Sequence, residues 1–143
     1  IVLSSIERCK QNFPEHTVTF KNSLTPNKDL VIGDSHKLEH VVSALIENAM
    51  KFSPKESEIT IALSSQNHQL QLKIQDQGAG IARDDITKIF DGFYKGHDNH
   101  KEGMGVGLLL AKHIINYHKG SLSVQSEVKK GTIVEVRLPL QKV

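Results

Sequence analysis

The sequence has one cysteine, almost no net charge and no long apolar run, and each shortage excludes a class of protein. A single thiol, Cys9, excludes an internal disulfide framework and is typical of a reducing compartment. The longest nearly uncharged apolar stretch, residues 103–111, is far shorter than the ~20 residues of a membrane-spanning helix. With 18 basic and 16 acidic side chains and no basic run, the chain does not indicate nucleic-acid binding. We expect neither a nucleic-acid partner nor direct membrane contact.

The remaining composition is that of one globular domain. The chain has 143 residues, of which 38% are apolar and 24% charged. No internal repeat, low-complexity tract or linker divides it, so residues 1–143 are expected to form one domain. Apolar residues recur at helical spacing from Ser35 to Phe52, after Asp34 as a candidate N-cap. Further helices are predicted at residues 4–11, 84–90 and 105–118.

Five segments alternate apolar and polar residues with the period of two that indicates strands, at 18–22, 58–64, 69–76, 122–126 and 132–138. One face of these strands is apolar, as in Ile59, Ile61 and Leu63, while the other carries residues such as Lys73 and Arg137. A sheet that is apolar on one side only has helices on that side and water on the other. The predicted fold class is therefore α/β: a two-layer α/β sandwich with a mixed sheet of about five strands and helices on one face.

Backbone freedom is concentrated in one part of the chain, because seven of the ten glycines lie within residues 78–107. Residues 91–104 show no periodicity, and a loop of that length in a compact domain is usually functional or mobile. Gly103, Gly105 and Gly107 stand at the start of a predicted helix, whose free N–H groups and dipole favour an anion. Neither the dinucleotide-binding glycine pattern nor a P-loop is present.

Glu47, Asn48 and Lys51 lie on one polar flank of the helix predicted at 35–52, given a rotation of 100° per residue. One interpretation is a solvated face with an i,i+4 Glu–Lys pair worth roughly a few tenths of a kcal/mol. The other is a phosphoryl-transfer site, because a carboxylate can accept a proton, an amide oxygen can ligate Mg²⁺ and an ammonium can neutralise phosphate. These three residues alone leave both interpretations open.

Asp76 ends a predicted strand in phase with its apolar residues, so the carboxylate points to the buried face and needs a partner. One interpretation is an Asx turn or helix cap, which is common for Asp before Gly. The other is an amine-bearing ligand such as adenine, which Gly78 and Gly80 would let approach the backbone closely. Thr132 opens the last strand in phase with Val134, which aims its hydroxyl into the same layer as Asp76.

The eight histidines do not indicate a metal site. His97 and His100 have no cysteine or acidic residue at ligand spacing, and His113 and His118 at i,i+5 do not share a helix face. We therefore predict no metal site built from histidine.

Three of the seven aromatic residues cluster at the start of the glycine-rich loop, namely Phe90, Phe93 and Tyr94. In one interpretation they anchor the loop on the core, which suits Phe90 best. In the other, the exposed members of the cluster dock a partner.

Taken together, the order and spacing of these motifs resemble the catalytic and ATP-binding domain of sensor histidine kinases, within the GHKL (Bergerat-fold) ATPase superfamily. The resemblance covers nearly the whole chain: residues 47–52 resemble the N box, 76–81 the G1 box, 89–95 the F box, 103–108 the G2 box, and 130–132 with 138–139 the G3 strand. The F box discriminates best, because gyrase, mismatch-repair and chaperone relatives are not expected to carry it. Lys95 stands where the family often has Arg, which keeps the positive charge but loses the ability of a guanidinium to form two parallel hydrogen bonds. Gly92 makes the match to the F box weaker.

The resemblance implies ATP and Mg²⁺ as cofactors, and it implies a role for each matching residue. Glu47 would act as the base toward an acceptor histidine, Asn48 would hold Mg²⁺ and Lys51 would contact phosphate during transfer. Asp76 would bind the adenine amino group, with Thr132 nearby. The other implied nucleotide contacts are Gly78, Gly80, Ile81, Phe90, Tyr94, Lys95, Gly103, Gly105, Val106, Gly107 and Leu108. Residues 91–104 would form a flexible ATP lid.

The activity implied by the resemblance is transfer of the ATP γ-phosphoryl group to a histidine on a separate dimerisation domain, for relay to a response-regulator receiver domain. The alternatives are a GHKL serine kinase or ATPase, and a nucleotide-binding domain that regulates a partner without transfer. No histidine is followed by the acidic, Arg-Thr-Pro pattern of the phosphoacceptor H box, and the 46 residues before Glu47 are too few for a dimerisation hairpin. We therefore expect a cytoplasmic fragment of a longer kinase, whose other parts could anchor it in a membrane.

Overall fold

The computed structural model describes residues 1–12, 14–24, 31–54, 56–77, 104–127 and 131–140. The elements in these ranges are α1 (Val2–Asn12), β1 (Thr17–Asn22), α2 (Ser35–Phe52), β2 (Glu58–Gln66), β3 (Gln69–Gln75), α3 (Met104–Tyr117), β4 (Ser121–Glu127) and β5 (Gly131–Pro139). Every helix and strand predicted within the described residues is present, with bounds shifted by two residues at most. The helix predicted at 84–90 lies outside the described residues.

The strands form one mixed sheet in the order β1-β2-β3-β5-β4. β1 and β2 run parallel, and the other neighbouring strands run antiparallel. The register places apolar residues of successive strands opposite one another, as in the row formed by Ile61, Ile74, Val134 and Val124. Because directly opposite residues share a face of the sheet, these rows give it one continuous apolar side.

The three helices in the described ranges cover this apolar side, and the core lies between the two layers. Ile46 of α2, Ile115 of α3 and Ile6 of α1 are all buried in it together with the inward-facing residues of the strands. On the opposite face of the sheet, Lys73 and Arg137 are exposed. The predicted two-layer α/β sandwich is therefore confirmed.

The long helix α2 begins at the N-cap that the sequence predicts. The Asp34 carboxylate accepts a hydrogen bond from the backbone N–H of Lys37 at 3.1 Å, which satisfies one of the free N–H groups of the first turn. The same hydrogen bond holds the pKa of the Asp34 carboxyl below its usual value. At the other end, the Ser53 hydroxyl donates to the carbonyl of Ala49 at 2.6 Å. Both ends of the helix that carries Glu47 are thus fixed.

His118 ties the end of α3 to the start of α2. Its Nδ1 donates to the Ile114 carbonyl at 2.8 Å, and its Nε2 accepts from the Asp34 N–H at 3.0 Å. A Cβ on Gly33 would lie 2.5 Å from the His118 ring, so only glycine leaves room for the imidazole. Both ring nitrogens of this histidine are therefore engaged with the backbone, at the end of α2 opposite to Glu47.

Candidate functional site

The C-terminal half of α2 presents the polar flank predicted from the sequence. Its apolar stripe, which includes Leu45 and Met50, is buried against the sheet. On the same turns Glu47 and Lys51 are exposed, and Asn48 lies half-buried at the edge of the stripe. The helix therefore places a carboxylate, an amide and an ammonium on one flank, where the carboxylate and the ammonium are exposed.

The amide of Asn48 contains a buried polar atom that calls for a partner. Its Nδ2 is buried and has no hydrogen-bond partner among the described residues. An unsatisfied buried polar group costs roughly 1–3 kcal/mol, and such groups in folded proteins call for an explanation. A half-turn about χ2 exchanges the amide nitrogen and oxygen, so the side chain can offer either a donor or an acceptor at this point. The geometry suits a residue that pairs with a bound ligand.

Glu47 lies beside α1. Burial raises the pKa of the Cys9 thiol, the negative charge of Glu47 raises it further, and Arg8 lowers it. Cys9 also contacts the carbonyl of Ser43, one turn before Glu47, with an Sγ–O distance of 3.6 Å. The packing of α1 on α2 therefore fixes the turn of helix from which the Glu47 carboxylate projects.

Asp76 and Thr132 meet where β3 ends and β5 begins. The Thr132 N–H donates to Oδ1 of Asp76 at 3.2 Å, and the Asp76 N–H donates to the Thr132 carbonyl at 2.9 Å. Asp76 is half-buried and Thr132 is buried. One partner of this carboxylate is the backbone N–H of Thr132, which lies 56 positions further along the chain. This partner differs from both of those considered from the sequence. The expectation that both side chains lie in one layer agrees with this contact.

Gly131 permits this junction. Its φ of +110° is one that side-chain-bearing residues rarely adopt, and a Cβ there would lie 2.2 Å from the Asp76 carbonyl oxygen. The two strands approach this closely only because residue 131 has no side chain. The sequence contains the signal, a glycine directly before Thr132, but not the identity of the backbone that it approaches.

Ser126 of β4 adds a third side chain beside Asp76 and Thr132. It lies directly opposite Thr132 in the β4–β5 register, and its Oγ is 2.8 Å from Thr132 Oγ1. Its Oγ is also 3.1 Å from the Gly131 carbonyl oxygen. Ser126 is not among the residues predicted for the site, although it is in phase with the inward-facing Leu122 and Val124 of its strand. Asp76, Thr132 and Ser126 thus form one row across three neighbouring strands.

The other predicted contact residues are only partly described. The backbone of Gly105, Val106, Gly107 and Leu108 forms the first turns of α3, since this helix begins at Met104. Gly105 and Gly107 therefore lie inside the helix rather than before it. The remaining predicted contacts lie outside the described residues, as does the predicted lid up to residue 103: Gly78, Gly80, Ile81, Phe90, Tyr94, Lys95 and Gly103.

Comparison with known proteins assigns the class of this domain. The sequence profile described as "Histidine kinase-, DNA gyrase B-, and HSP90-like ATPase" matches residues 33–142, so the chain belongs to that family. Sensor protein CiaH of Streptococcus pneumoniae is 37% identical over 114 residues, which are 78% of this chain and 26% of CiaH. Sensor histidine kinase WalK of Bacillus subtilis is 30% identical over 143 residues, which are 96% of this chain and 23% of WalK.

A solved structure supports the same assignment. The mycobacterial sensor histidine kinase MprB superposes with a TM-score of 0.85 at 27% identity, over 99% of this chain and 93% of that one. The chain is an ATP-binding domain of the sensor histidine kinase type, and it spans about a quarter of the length of CiaH and WalK. Among the described residues, no helix is long and apolar enough to cross a membrane.

Proposed function

We propose that this domain binds ATP with Mg²⁺ and transfers the γ-phosphoryl group to a histidine of a separate dimerisation and phosphoacceptor domain. The observation that carries the proposal is the polar flank of α2, where the Asn48 amide, whose Nδ2 has no partner among the described residues, lies beside the exposed side chains of Glu47 and Lys51. A flank of surface residues on an ordinary solvated helix would not need a buried amide without a partner. On a phosphate-binding flank, a phosphate oxygen would supply the partner.

Asn48 and Lys51 fit the phosphate end of the nucleotide. Asn48 can turn its amide oxygen toward Mg²⁺ or its NH₂ toward a phosphate oxygen, and the second contact would give the buried Nδ2 a partner. The Lys51 ammonium is one turn further on the exposed flank and would neutralise phosphate charge. When bound, Mg²⁺ would offset the charge that develops on the phosphate oxygens.

Glu47 fits the role of general base. During transfer the bond between the γ-phosphorus and its bridging oxygen breaks, a phosphorus–nitrogen bond forms to the acceptor imidazole, and ADP leaves. The imidazole nitrogen that attacks must be free of its proton, and a carboxylate on the exposed flank is accessible to a histidine on another domain. The contact of Cys9 with the Ser43 carbonyl supports the helix one turn before this carboxylate.

Asp76 and Thr132 fit the purine end. Both present oxygen atoms at the junction of β3 and β5, and α2 contacts β3 on the apolar side of the sheet. An adenine amino group would donate to the Asp76 carboxylate.

Further proposals rest on the relatives, which are sensor proteins. These proposals are relay of the phosphoryl group to a response-regulator receiver domain, and a place for this domain on the cytoplasmic side of a longer kinase.

Asn48→Ala should remove most of the Mg²⁺ dependence of ATP binding, because the variant has no amide for the cation. The measurement is titration of a fluorescent ATP analogue with and without Mg²⁺, for which we expect the Mg²⁺-dependent gain in affinity to fall by about 10–100-fold. Asn116→Ala, at an exposed position of α3, is the matched control and should bind as the wild type does. Absence of binding by the wild type at millimolar nucleotide would refute the proposed function. Unchanged Mg²⁺ dependence in the variant would refute only the role of Asn48.

Asp76→Asn should lower the preference for ATP over GTP. The amide can keep the hydrogen bond from the Thr132 N–H only through its oxygen, so its NH₂ replaces the second carboxylate oxygen. A donor then faces the adenine amine, whereas the guanine carbonyl gains a partner. Two opposed donors cost about 1–3 kcal/mol, so we expect the ATP/GTP affinity ratio to fall by about 5- to 150-fold.

Asp34→Asn is the control for this substitution, because Asn is an equally good N-cap and residue 34 lies at the far end of α2. Both variants are compared with the wild type by competition titration and by circular dichroism. If Asp76→Asn unfolds the domain while the nucleotide preference of the folded fraction is unchanged, Asp76 is only a structural link between β3 and β5.

A further inference from the structure

The hydroxyl groups of Ser126 and Thr132 form a chain of hydrogen bonds in which each group donates in a definite direction. Ser126 Oγ lies 3.1 Å from the Gly131 carbonyl oxygen and 2.8 Å from Thr132 Oγ1. A carbonyl oxygen only accepts, so the first of these bonds uses the single proton of Ser126. The second is then a hydrogen bond only if Thr132 donates to Ser126. The direction is Thr132 to Ser126 to the Gly131 carbonyl.

This direction determines what Thr132 can offer to a ligand. With its only proton directed at Ser126, the Thr132 oxygen retains lone pairs alone. The neighbouring Asp76 carboxylate is likewise an acceptor, and its Oδ1 is held by the Thr132 N–H at 3.2 Å. The row Asp76–Thr132 therefore presents acceptors only, although a threonine hydroxyl that rotates freely would be able to donate.

We propose that Ser126 is a positioning residue that sets base selectivity by fixing the hydroxyl proton of Thr132 away from the purine. The proposal rests on the proposed nucleotide site. An all-acceptor row pairs with the amino group at position 6 of adenine and opposes the carbonyl oxygen at position 6 of hypoxanthine or guanine. Without the Ser126 hydroxyl, the Thr132 proton loses its acceptor and can rotate toward that carbonyl oxygen.

Ser126→Ala should therefore improve the binding of ITP relative to ATP. ITP shares with GTP the carbonyl at position 6 and the N1–H but lacks the 2-amino group of guanine, so it differs from ATP only along the edge formed by N1 and position 6. One neutral hydrogen bond contributes about 0.5–1.5 kcal/mol, which corresponds to a fall in the ATP/ITP affinity ratio of about 2- to 10-fold. Ser126→Thr keeps the hydroxyl and should restore the wild-type ratio. Ser123→Ala, on the same strand but at an exposed position, should leave the ratio unchanged.

A double-variant cycle separates positioning from a general structural role. In a Thr132→Val background there is no hydroxyl proton to direct, so adding Ser126→Ala should not change the ATP/ITP ratio any further. Thermal unfolding of each variant shows whether it is folded, and the ratio is measured on folded protein. If the wild type binds neither nucleotide, the proposed function fails. If the wild type binds ATP and Ser126→Ala leaves the ratio unchanged, or changes it equally with Val at 132, the positioning role is refuted.

Discussion

Glu47→Gln is expected to reduce phosphoryl transfer by about 10²–10⁴-fold, the usual contribution of a general base, while the affinity for ATP stays close to that of the wild type. The amide keeps the shape of the carboxylate but cannot accept the imidazole proton. Residue 47 is exposed on α2, so the substitution leaves the core intact. The measurement is transfer of labelled phosphate from ATP to a separately supplied dimerisation domain with its acceptor histidine, alongside nucleotide titration.

The matched control for this variant is Glu39→Gln, two turns earlier on the same helix. Glu39 forms a surface ion pair with Arg8, and such pairs contribute little to stability, so both transfer and binding should remain near wild type. Equal losses of transfer and nucleotide affinity in Glu47→Gln would assign Glu47 a structural role, for example in the packing of α1 on α2. Normal transfer would exclude it as the base.

Gly131→Ala should have the largest effect on stability. The added Cβ would lie 2.2 Å from the Asp76 carbonyl oxygen, and the φ of +110° is unfavourable for alanine. Strain and overpacking together should cost at least about 2 kcal/mol, which lowers the melting temperature by roughly 5–10 °C. Because the clash pushes β3 and β5 apart at Asp76, ATP binding should be lost even where the variant remains folded. Calorimetry and nucleotide titration measure the two effects.

Gly120→Ala is a destabilising control at a distance from the purine end. Its Cβ would lie 2.2 Å from the Arg137 carbonyl oxygen, beside the C-terminal end of α3. This variant should also melt at a lower temperature, but below its transition it should keep the wild-type preference for ATP. If Gly131→Ala melts and binds ATP as the wild type does, the close approach of the two strands is not needed for the site.

The architecture could be predicted from the sequence because each element carries a local signal. The strands alternate with a period of two, and α2 has an apolar stripe, an Asp N-cap and a proline just beyond its end. The turn between β2 and β3 was not anticipated. Asn67 and His68 both have positive φ there, at 54° and 62°, which suits the two-residue turns of hairpins. The sequence has no glycine at this point, so the usual signal is missing.

The site was predictable only in part, for a different physical reason. The spacing of Glu47, Asn48 and Lys51 on one helix determines their common flank, because α-helical geometry is regular. The burial of the Asn48 amide depends on how α2 packs, which the spacing does not determine. The pairing of Asp76 with the backbone of Thr132, and of Thr132 with Ser126, depends on strand order. That order is a long-range property, and no local pattern around residue 126 encodes it.

The row across β3, β5 and β4 also has a consequence for how the domain folds. Asp76 and Thr132 are 56 positions apart, so a long loop must close before β3 and β5 can pair, and contacts of such separation generally form slowly. The flank of α2 needs only local hydrogen bonds. The proposed purine end therefore arises only in molecules whose sheet is complete, whereas the common flank of Glu47, Asn48 and Lys51 requires only the helix itself. Since ATP would bind only the completed form, mass action would draw the folding equilibrium toward it, and cellular ATP would serve this domain as a folding ligand as well as a phosphoryl donor.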